Sequence, residues 1–138
     1  MSTVIVDASV WVSRYVEEDT HHRISQLYLE RHFRSGGIVV APVILLAQLA
    51  GPVARQTGDR TLAHDAYRKL LKLPTFRVVP IDHRIGVAAA KLAADLGLRG
   101  ADAVYIALAQ ALNITLITWD EQQRERGAAA AATVMPQL

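Results

Sequence analysis

The sequence predicts an α/β fold in which a mostly parallel central sheet is covered by helices on both faces. Three observations carry that expectation. Short runs of bare apolar residues (Val4-Ile5-Val6, Ile38-Val39-Val40-Ala41, Leu116-Ile117) read as strands buried on both faces, as in parallel sheets. Between them lie longer segments whose apolar residues recur at three and four, the period of a helix packed on a core. Finally, 51% of the 138 residues are hydrophobic, enough for a single domain over 1–138 with a sizeable core.

The elements follow in order. Thr3 to Val6 is the first strand, and Asp7 or Ser9 caps a helix running to about Val16. Thr20 is expected to start a second helix with Ile24, Leu27 and Tyr28 on one face, ended by Gly36-Gly37. Ile38 to Ala41 is the second strand. An uncharged helix is expected from Pro42, with Gly51-Pro52 as its stop. Asp59 caps the next helix, with Leu62, Ala66, Tyr67, Leu70 and Leu71 as its stripe, and Pro74 closes it. Arg77 to Pro80 is a short strand. Asp82 caps a helix carrying Ile85, Ala88, Ala89, Leu92 and Leu96, with Gly97 at its end. The helix from Ala101 to about Leu112 is apolar nearly all round and therefore central. Ile114 to Thr118 is a strand, Trp119 to Arg126 a short charged helix, and Thr133 to Met135 an edge strand. The alanines 128–132 read as helix end or linker.

Composition narrows the classes of function. The chain has no cysteine, which removes disulfides and thiolate metal sites and suits a reducing, cytoplasmic location. A net charge of +2 permits an anionic partner without demanding one. The stretch 35–54 is uncharged, but its glycines and prolines divide it into strand and helix, so it is read as core and no membrane span is expected. The apolar run at the N-terminus is too short for a signal peptide.

Two strands end in carboxylates, Val6-Asp7 and Ile117-Thr118-Trp119-Asp120. Parallel strands place both ends at one edge, where α/β sheets bind ligands, so Asp7 and Asp120 converge if their strands are neighbours. Asp102 opens the central helix that leads back into the Asp120 strand, which sets it at the same edge. Each aspartate alone also reads as a helix cap or first-turn acid. Together, three carboxylates repel one another unless a cation sits between them, and oxygen-only ligands suit Mg²⁺ or Mn²⁺. Ser9 and Thr118 are candidate supporting donors, or simply a cap and a strand-end hydroxyl. Arg14, Arg55, Arg99, Arg124 and Arg126 fall near the elements bordering this edge and are candidates for phosphate contacts. The five histidines are expected to be solvated, with His21-His22 near a helix start as the weaker candidate for a metal ligand, and the aromatic residues to pack in the core or at its rim.

The segments Val4-Ile5-Val6-Asp7-Ala8-Ser9, Ala101-Asp102-Ala103-Val104-Tyr105-Ile106-Ala107-Leu108-Ala109 and Leu116-Ile117-Thr118-Trp119-Asp120 resemble the motifs of PIN-domain ribonucleases. The similarity extends to VapC-type toxins of toxin–antitoxin pairs and spans essentially the whole chain. It implies a PIN-like three-layer sandwich and Mg²⁺- or Mn²⁺-dependent hydrolysis of RNA phosphodiester bonds. Asp7, Asp102 and Asp120 would be the catalytic metal ligands. It also implies an antitoxin partner and a homodimer. The family places a glutamate on the helix after its second strand, where this chain has Gln48. An amide still offers a carbonyl oxygen but brings no charge and cannot act as a base. That departure raises the alternative of a degenerate domain that grips RNA or an antitoxin and cleaves weakly or not at all. Two other phosphate-handling classes fit less well. A receiver-type domain would carry an acidic pair after the first strand and a lysine after the last. A dehalogenase-like phosphatase would carry a second aspartate where Ser9 stands.

Overall fold

The computed structural model describes residues 2–138. In chain order the elements are β1 (Thr3–Val6), α1 (Ala8–Tyr15), α2 (His22–Arg34), β2 (Ile38–Pro42), α3 (Leu45–Thr57) and α4 (Arg60–Lys72). There follow β3 (Phe76–Val79), α5 (His83–Leu96), α6 (Gly100–Leu112), β4 (Thr115–Ile117), α7 (Glu121–Gly127) and β5 (Thr133–Val134). The five strands form one sheet in the order β3-β2-β1-β4-β5, and every pairing is parallel. Helices α1 to α4 pack against one another, and α5 to α7 form a second group. Each group covers one face of the sheet, giving the expected three layers.

The strand order reverses at the β1–β4 pair, because the chain steps from β1 through β2 to β3 and then crosses back to β4. Such a switch point opens a crevice beyond the carboxyl ends of the two strands. The register pairs Val6 with Ile117, so Asp7 and Thr118 emerge side by side. Asp7 N–H donates to Ile117 O at 2.9 Å, which continues the ladder to the rim.

The core is built from Ile5, Val6, Val39, Ala41 and Leu116 on the strands, with Leu45, Leu49, Val53, Tyr105, Ile106 and Leu108 from the helices packed on them. As the all-round apolar sequence of α6 required, the helix buries Ala103 and an unbroken run from Tyr105 to Ala109.

Several boundaries differ from the sequence reading, for local reasons. Pro42 does not start a helix; it ends β2, and α3 begins at Leu45. Gly51-Pro52 does not stop α3, which runs on to Thr57 and ends where Gly58 takes the left-handed conformation. Pro52 lacks the N–H that would meet the Gln48 carbonyl and its ring crowds that carbonyl, yet the helix continues with Leu49 and Val53 buried in the core. Helix α2 starts at His22 rather than Thr20, and its buried face is Ser25, Leu29 and His32. Ile24 is exposed, and Leu27 and Tyr28 are half-buried. In α4 the buried stripe is Ala63, Ala66 and Leu70, while Leu71 is exposed. The third strand begins one residue earlier than expected and buries Phe76.

Candidate active site

Each aspartate reaches the crevice at the start of a helix. Asp7 stands at the end of β1 as N-cap of α1, and its Oδ2 accepts from Ser9 N–H at 3.3 Å. The same oxygen accepts from the buried Thr118 hydroxyl at 2.8 Å. Asp120 caps α7, its Oδ1 accepting from Gln123 N–H at 2.9 Å. Asp102 lies in the first turn of α6, where the helix dipole favours an anion.

Hydroxyls tie the two strand ends together. Thr118 Oγ1 accepts from Asp120 N–H at 3.0 Å while donating to Asp7. Ser9 Oγ accepts from Trp119 N–H at 3.1 Å and lies 3.3 Å from Thr118 Oγ1. Ser9 and Thr118 thus hold Asp7 and Asp120 in mutual register, besides their parts in capping and strand geometry.

Asp7 and Asp102 both have pKa values raised above the ordinary carboxylate range, chiefly because burial removes water from the charge. For Asp7, hydrogen bonds from Ser9 and Thr118 offset part of the rise. For Asp102, the Arg99 guanidinium offsets part of it, while the charges on Asp7 and Asp120 add to it. The Coulombic influence of Asp7 and Asp120 on Asp102 is the electrostatic mark of a cation site or of a cluster needing counter-charge.

Arg99 supplies counter-charge within the chain. Its Nε donates to Asp102 Oδ2 at 3.1 Å and its Nη2 to Asp120 Oδ2 at 2.7 Å. Gln48, on α3, also faces the cleft, and its Oε1 accepts from the Tyr105 hydroxyl at 2.8 Å. Burial, followed by the charges on Asp7 and Asp102, pushes the Tyr105 pKa far up, so this phenol remains a donor. The Gln48 carbonyl oxygen is therefore already hydrogen-bonded.

These groups line a cleft of about 760 Å³. Asp7, Ser9, Gln48, Arg99, Asp102 and Asp120 are all on its wall, and Thr118 is buried behind Asp7. Arg55 reaches the cleft from α3. Arg14, Arg124 and Arg126 do not. Arg14 borders a separate groove with Tyr15, Leu29 and Phe33. Arg124 donates to Thr118 O at 3.1 Å, and Arg126 to Gly97 O at 2.6 Å.

His21 is a cleft residue that the expectation of solvated histidines missed. Its ring stacks on Trp119 at 3.9 Å and 8°, and both line the cleft. Trp119 Nε1 donates to buried Ser25 at 2.8 Å, so the pair is anchored from behind. The available signal was topological: α2 has to descend to the edge where β2 starts, so its first residues stand at the carboxyl edge. His32 also departs from that expectation. It is buried, with Nε2 3.0 Å from Ile38 O, beneath the Gly36-Gly37 turn.

Three aspartates facing one cleft provide the hard oxygen donors and negative charge suited to Mg²⁺ or Mn²⁺. Among the described residues, no three acidic or histidine side chains yet gather closely enough to enclose an ion. The donor chemistry fits a divalent cation, in a set that has to draw together to hold it.

The chain belongs to the PIN domain family, which matches it over residues 4–129. Solved structures with the same fold include Mycobacterium tuberculosis VapC20, a sarcin–ricin loop cleaving toxin, at TM-score 0.74 and 18% identity, covering 94% of this chain and 96% of that one. VapBC2 from Rickettsia felis, bound to a DNA fragment from its promoter, aligns at TM-score 0.72 and 13% identity, covering 95% and 96%. FitAcB from Neisseria gonorrhoeae aligns at TM-score 0.71 and 20% identity, covering 96% and 97%. The comparison with curated protein sequences gives no match. Among the described residues, no helix is long and apolar enough to cross a membrane.

Proposed function

We propose that this protein is a metal-dependent endoribonuclease, the toxin of a toxin–antitoxin pair. The observation that carries the reading is the meeting of Asp7, Asp102 and Asp120 at the switch-point cleft of a PIN-family chain. Asp7, Asp102 and Asp120 would hold one or two Mg²⁺ or Mn²⁺ ions. Such an ion lowers the pKa of its bound water and neutralises charge on a phosphoryl group.

The chain's own residues then have definite tasks. Thr118 and Ser9 fix the Asp7 carboxylate against rotation, so its free acceptor capacity points one way. Asp102 is held at the α6 N-terminus, where the dipole helps to keep it ionised against burial. Arg55 and Arg99 line the same cleft and would contact a phosphodiester backbone that entered it. Structural relatives that are toxin–antitoxin complexes support an antitoxin as partner. A homodimer remains part of the proposal by family resemblance.

Cleavage of a structured RNA with Mn²⁺ tests this reading. Wild-type protein is expected to cut with Mn²⁺ and to stop with chelator, and Asp102→Asn to lose about a hundredfold or more in rate. Chelator-resistant cleavage, or an Asp102→Asn variant as active as wild type, would contradict it.

Gln48 and the Arg99 clasp favour a second reading, a degenerate PIN domain that binds RNA or an antitoxin with little cleavage. Retained RNA binding without any Mn²⁺-stimulated cutting would select it.

A further inference from the structure

The carboxylates of α6 and α7 already hold a cation supplied by the chain. One planar guanidinium, that of Arg99, reaches Asp102 through Nε and Asp120 through Nη2, joining the start of α6 to the start of α7. We propose that Arg99 is the resident counter-ion of this site and that it alternates with a divalent cation. The guanidinium holds Asp102 and Asp120 when no ion is bound, and swings out when one enters. The inference rests on the metal-dependent reading above.

The hydrogen bonds show why Arg99 is the partner that yields. Both oxygens of Asp120 are committed: Oδ1 to Gln123 N–H, Oδ2 to Arg99. An incoming ion needs one of them. Releasing Oδ1 would uncap α7 beside the fully buried Gln123. Releasing Oδ2 frees only a side chain that is 71% exposed and regains water at once. The Arg99 backbone is fixed as the N-cap position of α6, and its side chain makes no capping bond. The two ion pairs are thus the contacts that draw the guanidinium over the carboxylates.

Electrostatics draw either cation to the same carboxylates. Asp7, Asp102 and Asp120 require positive charge nearby, and without an ion Arg99 supplies it. A divalent ion brings twice that charge to the same oxygens, so guanidinium and metal exclude each other there. Because the ion-free state is stabilised by Arg99, apparent metal affinity is lowered by the fraction of time the clasp is closed. Once released, Arg99 remains on the cleft wall as a free phosphate-binding fork.

Two binding measurements on the full chain test this, neither requiring turnover. Calorimetric titration with Mn²⁺ compares wild type with Arg99→Gln, and ¹H–¹⁵N spectra follow the Arg99 Nε–Hε resonance during titration with Mg²⁺. Arg99→Gln is expected to bind Mn²⁺ about tenfold more tightly than wild type. The Arg99 resonance is expected to move to the position of a free arginine as Mg²⁺ saturates. Metal binding with that resonance stationary, or equal affinities for the two proteins, would overturn the exchange while leaving the metal site standing. If neither protein bound Mn²⁺, both the exchange and the metal-dependent reading would fall.

Discussion

Asp7 carries its charge in a place that burial makes unfavourable for it. Its pKa is raised from 3.8, with the Ser9 and Thr118 hydrogen bonds offsetting only part of the effect. The folded protein therefore holds a proton on Asp7 more readily than the unfolded chain does. Stability from this group is complete below the unfolded value and is lost as pH rises through the folded one. At neutral pH without metal, this buried carboxyl therefore contributes less to stability than it does in acid. An Asn side chain keeps an acceptor for Thr118 and Ser9 without the charge, so Asp7→Asn is expected to raise Tm at pH 7 in chelator by about 2 °C or more. The advantage should shrink on acidification, and added Mg²⁺ should narrow it by stabilising only wild type. Calorimetry across pH checks this; an Asp7→Asn variant melting lower than wild type at pH 7 would contradict it. The three aspartates were legible in the sequence because each ends a strand or opens a helix, and topology then places them. The roles of Arg99 and the Gln48–Tyr105 bond were not legible. They depend on the paths of long side chains between elements distant in sequence, and no periodicity encodes those paths. Arg14 and Arg124 illustrate the converse: proximity along the chain to site elements did not bring their guanidinium groups into the cleft.

At the scale of elements, helix starts were the most readable feature, since Asp7, Asp59, Asp82 and Asp120 each accept a first-turn N–H as side-chain caps do. Helix interiors were harder. Gly51-Pro52 carries a strong local stop signal, yet α3 continues through it because its buried residues lock the next turn onto the core. The start of α2 lacks any side-chain capping bond, so nothing in its sequence marked the boundary at His22. The connection from α2 into β2 offers a direct test of packing. A Cβ at Gly37 would run into the His32 ring and the His32 carbonyl oxygen. That ring is held by its contact with Ile38 O and cannot withdraw freely. Gly37→Ala is expected to cost about 1–3 kcal/mol of stability, as overpacking does. Chemical denaturation measures it, and a variant as stable as wild type would show that the turn adapts more easily than its geometry implies. The cleft lies at the opposite sheet edge, so metal affinity of the folded variant should be unchanged.

Across the whole molecule, the parallel sheet does more than support the core. Reversal of strand order between β1 and β4 gathers groups from α1, α3, α6 and α7 around one opening. The bare strands and the apolar helix α6 made this architecture readable, because a chain of this length can cover such strands on both faces in few ways. The position we propose to limit the site is Gln48, which puts an amide where the resemblance to PIN domains implies a carboxylate. Restoring that charge tests the central claim most directly. Manganese-dependent cleavage of a structured RNA should be measured for wild type, Gln48→Glu, and Gln48→Glu combined with Asp102→Asn. A metal-dependent nuclease site predicts that Gln48→Glu cuts about tenfold faster than wild type and that adding Asp102→Asn abolishes the gain. Equal rates for all three proteins would contradict it.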